Sequence, residues 1–152
     1  MSKIIISDTS CLIALDRIGR LELLQKVFNT VYTTKIVAEE FEKPLPDWIL
    51  IKEFSDAKRF EELKLILDEG EASAIVLALE LKNSVLIIDE KKGRKIAMAL
   101  KLQIIGTLKI LLMAKDQGAI VSVKQLIHEL QKHSFRFNQA VVGEVLKLAA
   151  EN

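Results

Sequence analysis

The sequence predicts an α/β fold built on a parallel, doubly wound sheet, and three observations lead there. Residues 3–7 (KIIIS) and 84–88 (SVLII) are continuous apolar runs, the pattern of strands covered on both faces. Strand-like and helical segments alternate along the chain, which implies βαβ units with right-handed crossovers. Finally, 152 residues, half of them hydrophobic and only two of them proline, suffice for a full hydrophobic core.

The elements follow in order. After the strand at 3–7 comes a helical segment over about 10–27, then β-branched TVYTT (30–34) as a strand. A helix over 35–42 leads to PLPD (44–47), the clearest loop, with Trp48 behind it as a packing residue. ILIKEF (49–54) reads as an edge strand, followed by helices at 57–67 and 71–82. The strand at 84–88 precedes a helix over 91–101, and QIIGT (103–107), which ends near a glycine, reads as a last strand before a helix at 107–117. Two more helices are expected, VSVKQLIHELQKH (121–133) and NQAVVGEVLKLAAEN (138–152), the second with Asn138 as its N-cap. The expected organisation is a single domain over 1–152, with 119–152 as a helical C-terminal extension.

Composition narrows the chemistry. No run approaches the roughly 20 apolar residues of a membrane span, and MSKIIISDTS lacks the regions of a secretory signal, so a cytoplasmic location is expected. Cys11 is the only cysteine, which leaves no intramolecular disulfide and no cysteine-rich zinc site; it reads as a small buried hydrophobe. His128 and His133 are the only imidazoles and read as surface or packing residues. Carboxylates are plentiful, so any metal here is expected to be a hard, oxygen-seeking cation. A net charge of +1 confines nucleic-acid attraction to a local patch, for which KKGRK (91–95), with Lys101 and Lys109 beyond it, is the candidate. A solvated helix face is the alternative reading of that run.

In an open parallel sheet, ligands gather beyond the carboxyl ends of the strands. Asp8 comes directly after one apolar strand there and Asp89 after the other, with Glu90 next to it. Either acid alone reads as a helix N-cap. Two such acids ending two buried strands point to chemistry. On the helix over 35–42, steps of about 100° per residue place Glu40 within the stripe formed by Ile36, Val37 and Phe41, and Glu39 outside it. An inward carboxylate needs a partner. Glu71 lies at the border of the buried face formed by Ala72, Ile75, Val76 and Leu79, after a break expected at Gly70, while Asp68 and Glu69 read as surface acids. A first-turn acid serving the helix dipole is the alternative for Glu71. Carboxylates that converge without a counterion raise one another's pKa values, and a divalent cation reverses that preference. Magnesium or manganese held this way activates water for attack on a phosphodiester.

With DTS at 8–10, Glu40 in IVAEEF, Glu71 in GEASAIVLALE, Asp89 in LIIDEKKGRKIA and IGT at 105–107, the chain resembles PIN-domain proteins, in particular a prokaryotic PIN-like subfamily related to toxin ribonucleases. The resemblance spans nearly the whole chain. It implies a three-layer α/β/α fold with a central parallel sheet of four or five strands and additional C-terminal helices, and Mg²⁺- or Mn²⁺-dependent endoribonuclease activity on RNA. It implies Asp8, Glu40, Glu71 and Asp89 as the catalytic, metal-binding set, with Ser10 and Glu90 in support. Glu39 exchanges with Glu40, and Glu90 with Asp89, under a one-residue slip. Glu71 stands where many relatives have aspartate. Lys91, Lys92, Arg94 and Lys95 are then positioned to follow an RNA backbone. An antitoxin protein and a homodimer are the partners that the resemblance adds, with no membrane.

Other readings compete. Haloacid-dehalogenase-type phosphatases place a second aspartate two residues after the first, where this chain has Ser10. Response-regulator receivers need a lysine at a later strand end; QIIGT lacks it, although Lys109 is close behind. A PIN-like scaffold that binds RNA or protein without cutting is the third alternative. The apolar helices beyond residue 119 suit covering the sheet, dimerisation or an antitoxin segment equally.

Overall fold

The computed structural model describes residues 3–152. Five short strands, β1 (Ile4–Ser7), β2 (Val31–Thr33), β3 (Ile49–Ile51), β4 (Ser84–Ile87) and β5 (Gln103–Ile105), form one sheet in the order β3-β2-β1-β4-β5. Every pairing is parallel, and the register of the central pair runs from Ile4↔Ser84 to Ser7↔Ile87. The two strands with continuous apolar runs therefore occupy the interior beside each other, as their burial on both faces requires.

Side chains alternate across these strands. Ile5 and Ile87 enter a core cluster on one face, with α1 (Thr9–Arg17), α2 (Glu22–Phe28), α3 (Lys35–Phe41) and α7 (Thr107–Asp116). Ile6, Leu86 and Ile88 enter a second cluster on the other face, with α4 (Ala57–Lys64), α5 (Glu69–Glu80) and α6 (Lys91–Ala99). This is the expected three-layer α/β/α arrangement. Trp48 packs against the first cluster, as its packing role anticipates.

The helix expected over 10–27 is two helices. Gly19 adopts φ +69°, and the amide of Arg20 returns to the carbonyl of Leu15 at 2.8 Å, which ends α1 and redirects the chain into α2. The strands expected at 49–54 and 103–107 stop early, at Ile51 and Ile105. Gly106 caps α7 and Thr107 is already its first helical residue.

Beyond α7, α8 (Val123–Lys132) and α9 (Gln139–Leu148) bury Val123, Leu126, Ile127, Leu130, Val142 and Val145 in the first core cluster. Asn138 caps α9 through Ala140 and Val141 as expected. A less expected tie comes from Glu151, whose carboxylate accepts hydrogen bonds from the Lys115 ammonium (2.9 Å), the amides of Val123 (2.8 Å) and Lys124 (3.0 Å), and the Ser122 hydroxyl (2.9 Å). Burial pushes this carboxyl up, but Lys115, those two amides and Ser122 together bring it down to about 2.

A carboxyl held below its usual 4.5 stabilises the fold above that pH and loses its contribution as pH falls toward 2. Glu151→Gln is expected to cost about 1–3 kcal/mol at pH 7. Thermal melts at a series of pH values should show the gap from the parent protein narrowing between pH 4.5 and 2; a gap independent of pH contradicts the assignment.

Candidate active site

Asp8 leaves β1 fully buried and performs two tasks at once. Its Oδ1 accepts the Cys11 amide at 3.3 Å and so caps α1, while its Oδ2 has no hydrogen-bond partner among the described residues. The N-cap reading and the ligand reading thus apply to different oxygens of one carboxylate. Burial raises the Asp8 pKa well above the usual range; the nearby charge of Asp89 raises it too, the Cys11 amide opposes, and Glu71 and Asp68 add to the rise. Hydroxyls hold the backbone below: Ser7 donates to the Asp8 carbonyl at 2.9 Å, and Thr33 donates to the Ser7 carbonyl at 2.8 Å.

Glu71 comes from α5, which starts at Glu69, one residue before the expected break at Gly70. Asp68 caps it by accepting the Glu71 amide at 2.8 Å, so Gly70 falls inside the first turn. Glu71 is only 4 % exposed, and its Oε2 also has no partner among the described residues. Burial, then the charges of Asp68 and Glu90, and to a smaller degree a hydrogen bond with Asp68 and the charge of Glu40, push its carboxyl up to about 8. Asp68, Glu71 and Glu90 each offer an oxygen, and these oxygens lie within 4.8 Å of one another. Asp68, expected as a surface acid, is exposed yet turned toward this group. Its place three residues before Glu71 was the available signal, because a cap and an N3 residue share one side of a helix.

Glu40 is exposed at the end of α3, and its partner is a hydroxyl: Thr9 donates to its Oε1 at 2.5 Å. Gly70 permits the approach, since a Cβ at that position would overlap the Glu40 carboxylate. The charge of Glu40 is among those that raise the Glu71 carboxyl. Ser10 is exposed and makes no hydrogen bond to Asp8 among the described residues; the engaged hydroxyl of the DTS run is that of Thr9.

Asp89 is half-buried and accepts from Thr107 twice, its Oδ1 from the amide at 2.8 Å and its Oδ2 from the hydroxyl at 2.5 Å. Glu90 is the N-cap residue of α6 but makes no side-chain cap bond, which leaves its carboxylate to the group with Asp68 and Glu71. Lys91, Lys92 and Lys95 are exposed on α6. Arg94 differs: its Nη1 donates to the Ile88 carbonyl at 2.8 Å, so its guanidinium faces inward. Cys11 is fully buried, and His128 and His133 are exposed.

The group of Asp68, Glu71 and Glu90 and the two orphaned buried carboxylate oxygens are compatible with a divalent cation, and of the expected set only Glu71 belongs to that group, with Asp8, Glu40 and Asp89 outside it. A family model described as a PIN domain matches residues 4–151. The chain belongs to the PIN-domain family, whose members are generally nucleases and commonly bind RNA. No curated protein and no solved structure shows significant similarity to it. No helix among the described residues is long and apolar enough to cross a membrane.

Because the folded chain holds the Glu71 proton more tightly than the unfolded chain does, the metal-free protein is expected to lose stability as pH rises from 4.5 through about 8. Glu71→Gln removes that titration. In chelator, its melting temperature should exceed the parent's by a few degrees, about 2–4 °C per kcal/mol, at pH above 8 and approach it near pH 4.5. A variant less stable than the parent at high pH contradicts this.

Proposed function

We propose that the chain is a metal-dependent endoribonuclease that hydrolyses RNA phosphodiester bonds at a carboxylate-held Mg²⁺ or Mn²⁺. The observation that carries this reading is the three-acid group of Asp68, Glu71 and Glu90, together with the two buried, unpartnered oxygens Asp8 Oδ2 and Glu71 Oε2. Leaving two such oxygens unsatisfied is costly, and chains retain that cost where a ligand relieves it.

Asp8 and Glu71, with Asp68 and Glu90 at the rim, are the residues that would hold the cation. A bound Mg²⁺ or Mn²⁺ supplies charge neutralisation at the phosphate and a water of lowered pKa. Glu40, restrained by Thr9 through one oxygen, keeps the other available to accept a proton from an attacking water. Lys91, Lys92 and Lys95 extend from the α6 N-terminus next to Glu90 and provide phosphate contacts that position RNA without reading its sequence. This local run offsets the near-neutral charge of the whole chain. A role as the toxin of a toxin–antitoxin pair rests on the resemblance to toxin ribonucleases, and a co-encoded protein that suppresses cleavage is its test.

Purified protein incubated with a mixed single-stranded RNA pool should cleave it in Mn²⁺ or Mg²⁺ and not in chelator. Asp8→Asn keeps an acceptor for the Cys11 amide and removes the buried charge, so it should lower cleavage by about 100-fold or more while circular dichroism stays unchanged. RNA binding without turnover in the parent protein would favour a non-catalytic module instead.

A further inference from the structure

The central strands end in acids, and three of the five begin beside lysines. Lys3 directly precedes β1, Lys82 stands two residues before β4, and Lys101 stands two residues before β5. These strands are consecutive, parallel neighbours, so their amino ends lie side by side at steps of about 4.8 Å. The matching places before β2 and β3 hold Asn29 and Asp47. All three lysines line one open pocket of about 320 Å³, at the end of the sheet opposite the acids. Lys3 reaches across the start of β4 to donate to the Gln103 side-chain carbonyl.

No carboxylate lines this pocket. Glu80, the acid closest to Lys82 along the chain, turns away and gives both oxygens to the amides of Ser55 and Asp56. Among the described residues, Lys82 and Lys101 take part in no ion pair. Lysines beyond helix ends also offset the partial negative charge of the last carbonyls, and α5 and α6 both finish here. That charge is about half a unit per helix, so about two of the three positive charges remain uncompensated. Nor does the turn itself call for a lysine. Lys101 is held at φ +65°, with its amide returned to Met98 and that of Leu102 to Ala97, a place that usually goes to glycine.

Helix α6 joins the two ends of the sheet. Lys91, Lys95 and Ala99, spaced four residues apart, form an exposed stripe about 12 Å long that leads from Glu90 toward Lys101. The chain has no acid between Glu90 and Asp116. We propose that the pocket is a second RNA site, in which Lys3, Lys82 and Lys101 hold phosphates of the strand that leaves the acids along α6. This rests on the ribonuclease reading of the acidic end. Contacts of this kind add affinity with RNA length and read no sequence. An RNA too short to span α6 gains nothing from them.

Fluorescence anisotropy with Mg²⁺ in the Asp8→Asn background, where cleavage is slow, compares single-stranded RNAs of about 4 and about 16 nucleotides. Replacing Lys3, Lys82 and Lys101 together by glutamine is expected to weaken the longer RNA about tenfold or more and the shorter one by less than about twofold. The slope of log affinity against log salt for the longer RNA should fall by about 2, which is about 0.7 per phosphate contact. Lys92→Gln, at the acidic end, should weaken both RNAs. Lys101→Gly separates binding from folding: relief of the left-handed backbone should hold or raise the melting temperature, while the longer RNA binds about threefold or more weakly.

An unchanged salt slope in the triple variant, or equal weakening of the two RNAs, overturns the second site and leaves the ribonuclease reading standing. So does parent affinity for the longer RNA in Lys101→Gly. A parent protein that neither binds nor cleaves RNA overturns the ribonuclease reading, and the second site with it.

Discussion

Repulsion among carboxylates at the shared end of β1 and β4 is the constraint on which the rest of the structure depends. The two strands are the most apolar in the chain, and burying them side by side also brings together the residues just beyond their carboxyl ends. Asp8 and Asp89 arrive there because the hydrophobic effect positions the strands, against the electrostatic preference of the acids themselves. Raised pKa values at Asp8 and Glu71 are the direct expression of that conflict.

The fold moderates the repulsion with helix beginnings. All strands are parallel, so each strand-to-helix turn opens on the same end of the sheet, and α1, α3, α5, α6 and α7 begin near the acids. Asp8 caps α1, Thr34 caps α3, Asp68 caps α5, and Asp89 serves α7 from outside it. Buried hydroxyls reinforce these turns, with Thr34 and Ser73 paired at 2.7 Å and Ser73 donating to the Gly70 carbonyl. Away from the site, two acids with several donors show the contrast. Glu80 accepts from the amides of Ser55 and Asp56, and Glu151 has four donors. Among the described residues, the buried side-chain oxygens without a partner are those of Asp8 and Glu71, at this one place.

Much of this was legible in the residues. Continuous apolar runs marked β1 and β4, and the position of the acids after them marked the strand ends. Angular position put Glu40 inside the apolar stripe and Glu39 outside it, but both are exposed, and the donor that Glu40 meets is the Thr9 hydroxyl. Local rules failed where the deciding partner is distant in sequence. Asp68 is the surface acid it was expected to be, but nothing nearby along the chain shows that it meets Glu90. Arg94 read as one of four equivalent cations because its acceptor, the Ile88 carbonyl, depends on how α6 turns back over the end of β4. Ser10 and Thr9 are adjacent hydroxyls, and only the packing of α3 and α5 beside α1 determines that Thr9 is the one engaged.

By itself the sequence determined the layered α/β architecture, the helix and strand types and the end of the sheet at which acids collect. Those properties depend on hydrophobic period and on residues close along the chain. Tertiary structure alone decided which oxygens remain free. That outcome depends on donors brought from far away, such as the Thr107 amide and hydroxyl that occupy Asp89, and on burial that removes water as the alternative partner for Asp8 and Glu71.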